Sequence, residues 1–279
     1  MSSSAAPGRL YVVSTPIGNL GDFSFRAIDV LRRVALILAE DTRHSRTLLD
    51  RYEITTPVAS YHEHNEAKMT PGLVARMRAG DDLALISDAG TPLLSDPGAR
   101  LVAAAVDAEI IVTPIPGASA LLAALVASGM STERFTFYGF LPRKGRERAS
   151  TLAELASLTH TAVLYEAPTR LASTLAALEE HGAGERQGAV AREMTKQYEE
   201  VRRGTVSVLR AYYNDTPPRG EVVIVLAGAE VRAVNESDVR ARARALAAEG
   251  RSARDVVAQL VAELGVPRNR AYEIANEET

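Results

Sequence analysis

The sequence predicts an α/β protein with two sheet-bearing domains and a helical extension, on three observations. Short apolar strands alternate with helical patterns between Leu10 and Pro114. A second set of strands follows a Pro- and Gly-punctuated segment at Pro114, Pro116 and Gly117, and after Gly228 only helical patterns remain. Alternation of this kind implies a mainly parallel sheet covered on both faces.

Leu10 to Ser14 is apolar and β-branched, and it stops at Thr15-Pro16 before the glycine-rich run Ile17 to Asp22, which reads as strand then loop. Ala27, Leu31, Val34, Ala35 and Leu38 recur at helical spacing, so one helix is expected across that stretch. Further helices are expected at Thr42 to Tyr52, Leu73 to Ala79 and Ala99 to Ala108, with strands at Leu83 to Ser87 and Ile110 to Pro114. The small-residue stretch Ala118 to Ser128 reads as a helix opening the second unit. Its expected strands are Phe135 to Phe140, Ala162 to Glu166, Gly188 to Ala191 and Val222 to Leu226, with a helix from Arg170 to His181 stopped by Gly182. Glu236 to Glu249, Ser252 to Leu264 and Arg268 to Asn276 read as three helices, the second opened by Ser252 with Asp255 at capping spacing. The last two form a helix-turn-helix-like pair. The expected divisions are 8–116, 117–230 and 236–279.

Composition narrows the function classes. Hydrophobic residues make up 46% and charged residues 24%, an ordinary globular balance. There is no Cys, which excludes disulfides, thiolate metal sites and a cysteine nucleophile. No signal-like segment or stretch long enough to span a bilayer stands out, so a cytoplasmic protein without a membrane partner is expected. Net charge is −3, with Lys+Arg 32 against Asp+Glu 35. Any nucleic-acid contact must therefore come from local patches such as Arg143, Lys144, Arg146 and Arg148, read as a basic loop. The helical extension carries seven Arg against eight acidic residues in 236–279, which does not favour DNA binding by charge.

The most informative motif is SDAGTPLLSDPG, Ser87 to Gly98. The strand before it delivers Asp88 and Gly90 to its carboxyl end, where open parallel sheets bind ligands, and a glycine there allows close approach of backbone to ligand. Two ordinary turns would explain the same residues. The turn Pro116-Gly117-Ala118-Ser119-Ala120 supplies free amides and a hydroxyl at a helix start, suited to a carboxylate, although simple capping by Ser119 explains it equally. Neither G-x-G-x-x-G after the first strand nor G-x-x-x-x-G-K-[ST] is present, which counts against a nicotinamide dehydrogenase and a P-loop ATPase.

Three polar blocks sit at expected strand ends: Glu40-Asp41-Thr42-Arg43-His44, Tyr61-His62-Glu63-His64-Asn65 and Arg192-Glu193-Met194-Thr195-Lys196. His62 and His64 lack the spacing of H-E-x-x-H, so no metal is expected, and hydrogen bonding or RNA contact is the expected role. Asp41 also reads as a helix N-terminal carboxylate and Lys196 as a surface cation.

Together these blocks resemble the tetrapyrrole methylase superfamily and, within it, the bacterial small-subunit ribosomal RNA cytidine 2′-O-methyltransferases. The resemblance runs through LYVVSTPIGNLGD (Leu10 to Asp22), EDTR (Glu40 to Arg43), SYHEHN (Ser60 to Asn65), SDAGTPLLSDPG, PIPG (Pro114 to Gly117), GFLPRK (Gly139 to Lys144), YEAP (Tyr165 to Pro168) and REMTK (Arg192 to Lys196). Two departures are small: Ala89-Gly90 follows Asp88 where many tetrapyrrole enzymes have Asp-Pro, and Ala167 stands where Ser is common among the ribosomal enzymes.

The resemblance implies a two-domain tetrapyrrole methylase-like fold that holds S-adenosylmethionine in the cleft between domains, and a homodimer acting on 16S ribosomal RNA within the assembled 30S subunit. It carries cofactor binding onto Thr15, Pro16, Asp88, Ala89, Gly90, Thr91, Ser119, Ala120, Tyr165 and Glu166. Arg43, His62, His64, Arg143 and Lys144 are the candidate RNA contacts. Asp41, Glu193 or a neutral Lys196 could accept the hydroxyl proton, and the sequence does not choose among them. The rivals are a C-methyltransferase of a corrin precursor and a non-catalytic nucleic-acid-binding regulator.

Overall fold

The computed structural model describes residues 6–230 and 235–278. By backbone packing the chain divides into two compact units at Ala229/Glu230. Both sheets belong to the first unit.

The first sheet is built from β1 (Leu10–Val13), α1 (Phe25–Arg33), β2 (Leu36–Ala39), α2 (Thr42–Arg51), β3 (Val58–Ser60), α3 (Glu66–Arg78), β4 (Leu83–Ile86), α4 (Ala99–Asp107) and β5 (Val112–Ile115). Its strand order is β3-β2-β4-β1-β5, and every pairing is parallel. Alternate residues of each strand feed opposite cores. Tyr11, Val13, Ile37, Ala84 and Ile86 pack with α1 and α2, while Leu10, Leu38, Leu83 and Leu85 pack with Leu73 and Met77 of α3 and Leu101 of α4. Parallel order places every loop that leaves a strand end at one edge of the sheet.

The single helix expected from Ala27 to Leu38 is two elements. Ser24 caps α1 by accepting the Ala27 N–H, the helix ends at Arg33, and Leu36-Ile37-Leu38-Ala39 is strand β2. A buried run of four apolar residues fits both periods, so Val34, Ala35 and Leu38 extended the helical count falsely. The helix expected at Leu73 begins earlier, at Glu66, and carries Pro71 within it.

The second sheet comes from α5 (Ala120–Ser128), β6 (Phe135–Phe140), α6 (Gly145–Ser157), β7 (Thr161–Glu166), α7 (Leu171–Leu178), β8 (Gln187–Arg192), β9 (Glu200–Thr205), α8 (Val206–Asp215) and β10 (Val222–Leu226). Its order is β6-β7-β10-β8-β9; β6 and β7 pair in parallel and the other pairings are antiparallel. Leu121, Ala124 and Leu125 of α5 cover one face with Val163, Ala189, Val223 and Val225, and α6, α7 and α8 cover the other. Register aligns Glu166 with Val222, Val222 with Arg192, and Arg192 with Glu200, which brings the ends of β7 and β8 and the start of β10 to one edge.

β3, β9 and α8 were absent from the expected elements, and the basic loop at Arg143 to Arg148 is partly helix, because α6 starts at Gly145. β9 reads Glu-Val-Arg-Arg-Gly-Thr; its charges pair along the sheet edge, Arg192 Nε to Glu200 at 2.7 Å, so its polarity concealed a strand.

The second unit contains α9 (Glu236–Ala248), α10 (Ala253–Leu264) and α11 (Arg268–Glu278) around its own core of Val239, Leu246, Val256, Leu260 and Ile274. Ser252 accepts the Asp255 N–H, as its capping position requires. Among the described residues no helix is long and apolar enough to cross a membrane.

Candidate active site

The loop after β1 and the loop after β4 are tied together directly. Thr15 and Gly90 exchange backbone hydrogen bonds of 2.8 and 3.1 Å, and the Thr15 hydroxyl donates to Ser87 O at 3.1 Å. Ser14 and Thr91 hydroxyls lie 3.1 Å apart, and Thr91 Oγ1 donates to Ala118 O at 3.2 Å, joining the segment before α5 to the same loop. The Asp41 N–H donates to Asp88 at 3.1 Å, adding the loop after β2. Four loops of the parallel sheet thus form one hydrogen-bonded rim. Gly90 has φ +83 and lies against Ile17.

That rim meets the aligned edge of the second sheet around a cavity of about 480 Å³. Ile17, Leu94, Phe140, Tyr165 and Val223 give it apolar and aromatic walls, and Glu40, Asp88, Asp96, Glu166 and Glu221 give it five carboxyls. Phe137 and Phe140 both pack against the Tyr165 ring, with centroids 4.8 and 5.6 Å away. Burial, reinforced by Glu40 and Asp88, pushes the Asp96 carboxyl up to about 7. Burial and Asp88 also raise Glu40, against an opposing pull from His62.

A second cavity of about 370 Å³ adjoins the first, with Ile17, Asp88, Ala89 and Glu221 on both. Thr15, Pro16, Gly18, His44, Ser45 and Lys196 line it. The Lys196 ammonium donates to Glu193 at 2.9 Å and to Glu221 at 3.0 Å. Burial works against its charge, but the two carboxylates outweigh that and hold Lys196 above its ordinary value. Burial likewise opposes the charge of Glu193, whose bonds from Lys196 and the Glu221 N–H nevertheless keep it below the usual range.

Sequence-expected residues divide accordingly. Asp88, Ala89, Gly90, Thr91, Ala120, Tyr165 and Glu166 line the larger cavity; Thr15, Pro16 and Lys196 line the smaller. Ser119 caps α5 by accepting the Leu122 N–H at 3.4 Å. The Glu166 carboxylate already accepts from the Ala167 N–H and the Thr174 hydroxyl and pairs with Arg170, so it braces the wall. Asp41 caps α2 and grips Arg43, whose hydrogen bonds hold its carboxyl well below the usual range; it lines neither cavity. His62 and His64 rings lie 5.8 Å apart, and His62 Nδ1 is buried without a hydrogen-bond partner among the described residues. Arg143 and Lys144 are exposed.

The structure adds Glu40, Asp96, Phe140 and Glu221, which sequence reasoning passed over. Asp96 stood inside the quoted SDAGTPLLSDPG motif, where Asp-Pro-Gly reads as a turn, and Glu40 opened the block from which Asp41 was taken. Two carboxyls in one motif at the carboxyl end of a parallel strand were the available signal.

A parallel sheet and a mixed sheet whose loop edges enclose a cleft of carboxyls and aromatic rings define a cleft-forming α/β scaffold of the methylase type. The model of Tetrapyrrole (Corrin/Porphyrin) Methylases matches residues 9–210, and the chain belongs to that family. It is 47% identical over 273 residues to Ribosomal RNA small subunit methyltransferase I of Synechocystis sp., covering 97% of this chain and 98% of that protein. It is 41% identical to the protein of the same name in Bacillus subtilis, covering 95% and 93%. Among solved structures, uroporphyrin-III C-methyl transferase from Thermus thermophilus complexed with S-adenyl homocysteine superposes with a TM-score of 0.57 at 16% identity, covering 79% of this chain and 97% of that one. At that identity the likeness concerns the fold.

Proposed function

We propose that this chain is an S-adenosylmethionine-dependent methyltransferase that modifies the 2′-hydroxyl of a cytidine in 16S ribosomal RNA. In this reading it acts in the cytoplasm on the assembled 30S subunit, as a homodimer, with residues 8–116 and 117–230 forming the two sides of the donor cleft. The observation that carries it is the joined cavity at the meeting sheet edges, in a chain alike over nearly its whole length to ribosomal RNA small subunit methyltransferases.

The residues present fit such a donor. Tyr165, Phe140 and Leu94 offer an apolar and aromatic seat for an adenine ring, Asp88 and Asp96 offer negative charge to cationic groups, and the buried Ser45 hydroxyl on the adjoining cavity lacks a hydrogen-bond partner among the described residues. When bound, S-adenosylmethionine supplies an electrophilic methyl carbon on a sulfonium. The chain's own contribution is alignment of the acceptor, exclusion of water and acceptance of one proton. Lys196, held as a cation, positions and neutralises rather than accepting a proton, and Asp41 and Glu193, held below the ordinary range, are weak acceptors. Asp96 is poised near neutrality on the cavity wall and is the better proton acceptor.

The test is a map of methylated ribose in 16S ribosomal RNA from cells with and without this protein. A single cytidine losing its 2′-O-methyl group in the deletion, and regaining it on complementation, is expected; identical maps would overturn the reading. A corrin substrate rests only on the description of the wider family and on likeness of fold at low identity, and offering a porphyrinoid in place of ribosomal particles separates the two.

A further inference from the structure

A third cavity, of about 350 Å³, is joined to the cleft through the Lys196–Glu193 pair, Glu193 lining the one and Lys196 the other. Tyr198, Tyr212, Pro217, Arg192 and Arg219 line it, and Glu193 belongs to it while bonding to Lys196 of the neighbouring cavity. Arg219 directly precedes Gly220 and Glu221, which line the cleft, so the two sites are one residue apart along the chain.

Three of the four charged residues that line this cavity, Arg192, Glu193 and Glu200, are ion-paired. Glu200 is paired to Arg192 at 2.7 Å and to Arg202 at 2.8 Å, and Glu193 to Lys196. Arg219 is exposed and has no ion pair among the described residues, which leaves its guanidinium on the rim open to an anion. The Arg202 guanidinium lies 3.5 Å over the Tyr212 ring and fixes it, whereas Tyr198 is 67% exposed, a large aromatic side chain with little protein against it. Tyr213, also on the wall, has a buried hydroxyl without a hydrogen-bond partner among the described residues. Rings, prolines and guanidinium planes around a concavity are the set on which proteins stack a base splayed out of single-stranded RNA, with a cation beside it for the phosphate.

We infer that this cavity is a subsite for an unstacked nucleobase next to the target nucleotide of the RNA substrate. The inference rests on the ribosomal RNA reading above. A nucleotide at the Lys196 side of the cleft leaves its neighbour at the far side of the Glu193 wall, where Tyr198 stacks the base and Arg219 meets the phosphate.

The test is the initial rate of methylation of small ribosomal subunits isolated from cells lacking the protein, for wild type, Tyr198→Ala, Tyr198→Phe and Arg219→Ala. Tyr198→Ala is expected to raise KM for the particles roughly tenfold, the loss of one base stack. Tyr198→Phe should stay near wild type, since the ring is retained. Arg219→Ala should raise KM several-fold and flatten its salt dependence by about one phosphate contact. Donor affinity by calorimetry should be unchanged in all three. A KM for Tyr198→Ala within about twofold of wild type, or Tyr198→Phe as impaired as alanine, overturns the subsite. So does a rise in KM that tracks dissociation in sedimentation, which would assign the cavity to an interface between copies of the chain. Wild type that does not methylate the particles overturns the functional reading itself, an outcome distinct from active wild type with indifferent variants.

Discussion

Gly18 makes room for the stem of Lys196 beside the cleft: a β-carbon at residue 18 would lie 2.4 Å from Lys196 Cγ. The Asn19 N–H donates to the Thr195 hydroxyl at 3.1 Å beside it, so the loop after β1 and the loop after β8 touch through this pair of residues. Gly18→Ala must push the ammonium from its seat between Glu193 and Glu221. Turnover is expected to fall between tenfold and a hundredfold, the range that follows misplacement by about an ångström. Circular dichroism should stay native, because the residue lies on a surface loop. Unchanged single-turnover methylation would show that the position of Lys196 does not matter.

The raised carboxyl of Asp96 has a consequence for stability. Its pKa rises from 3.8 to about 7 on folding, so between those values the folded protein holds a proton that the unfolded chain has lost. The associated stability is complete below pH 3.8 and is lost as pH climbs through 7. Asp96→Asn removes this term. Urea unfolding should therefore show the variant gaining on wild type from pH 5 to pH 8, whereas parallel pH curves would place the carboxyl in water.

Donor binding should move the same proton. A sulfonium or ammonium brought close to Asp96, Asp88 and Glu40 favours their ionised forms, so a cationic donor binds more tightly as pH rises towards 8. Calorimetry at pH 6.5 in buffers of different ionisation enthalpy should record proton release with S-adenosylmethionine, less with S-adenosylhomocysteine, and least with Asp96→Asn. Equal release for all three would remove the carboxyl cluster from donor recognition.

The legibility of this chain in its sequence follows burial. β1, β4, β7 and β10 are apolar runs bounded by turn residues, and their periodicity alone places them. β2 failed because Leu36 to Ala39 abuts a helix with no Gly or Pro between them, and β9 failed because its stability comes from pairing of charged residues across an edge. In the site, Asp88 and Gly90 were readable because a motif marks them. Glu221 was not, since it takes its place only when β10 is laid between β7 and β8, a long-range pairing that no local pattern encodes. Lys196 was read as a possible neutral base because its two carboxylate neighbours come partly from that same distant segment.

Gly90 tests the proposed cofactor wall separately from strain. Its φ of +83 disfavours any side chain, and a β-carbon there would sit 3.2 Å from Ile17 Cγ2 at the cavity. Gly145 has a comparable φ of +87, and a β-carbon there would meet nothing within 4 Å among the described residues. Alanine at either position should cost about 1–2 kcal/mol, a few degrees in Tm. Only Gly90→Ala should also weaken S-adenosylmethionine binding in calorimetry. Equal donor affinity in the two variants would mean that backbone strain alone is felt there.

Arg143 and Arg148 stand close in sequence but make different contacts, and this separates RNA contact from bracing. Arg143 and Lys144 are exposed, without an ion pair among the described residues. Arg148 donates to Pro142 O at 3.1 Å and to Thr174 Oγ1 at 3.0 Å, and Thr174 in turn holds Glu166 at 2.6 Å. Replacing Arg143 and Lys144 together by alanine should leave Tm unchanged, weaken binding to ribosomal particles and reduce the slope of log affinity against log salt by roughly one to two. Arg148→Ala should instead lower Tm with little change in that slope, because it strips a partner from the Thr174 hydroxyl behind the cleft wall. A salt slope that falls in Arg148→Ala and not in the double variant would reverse the assignment of the two groups.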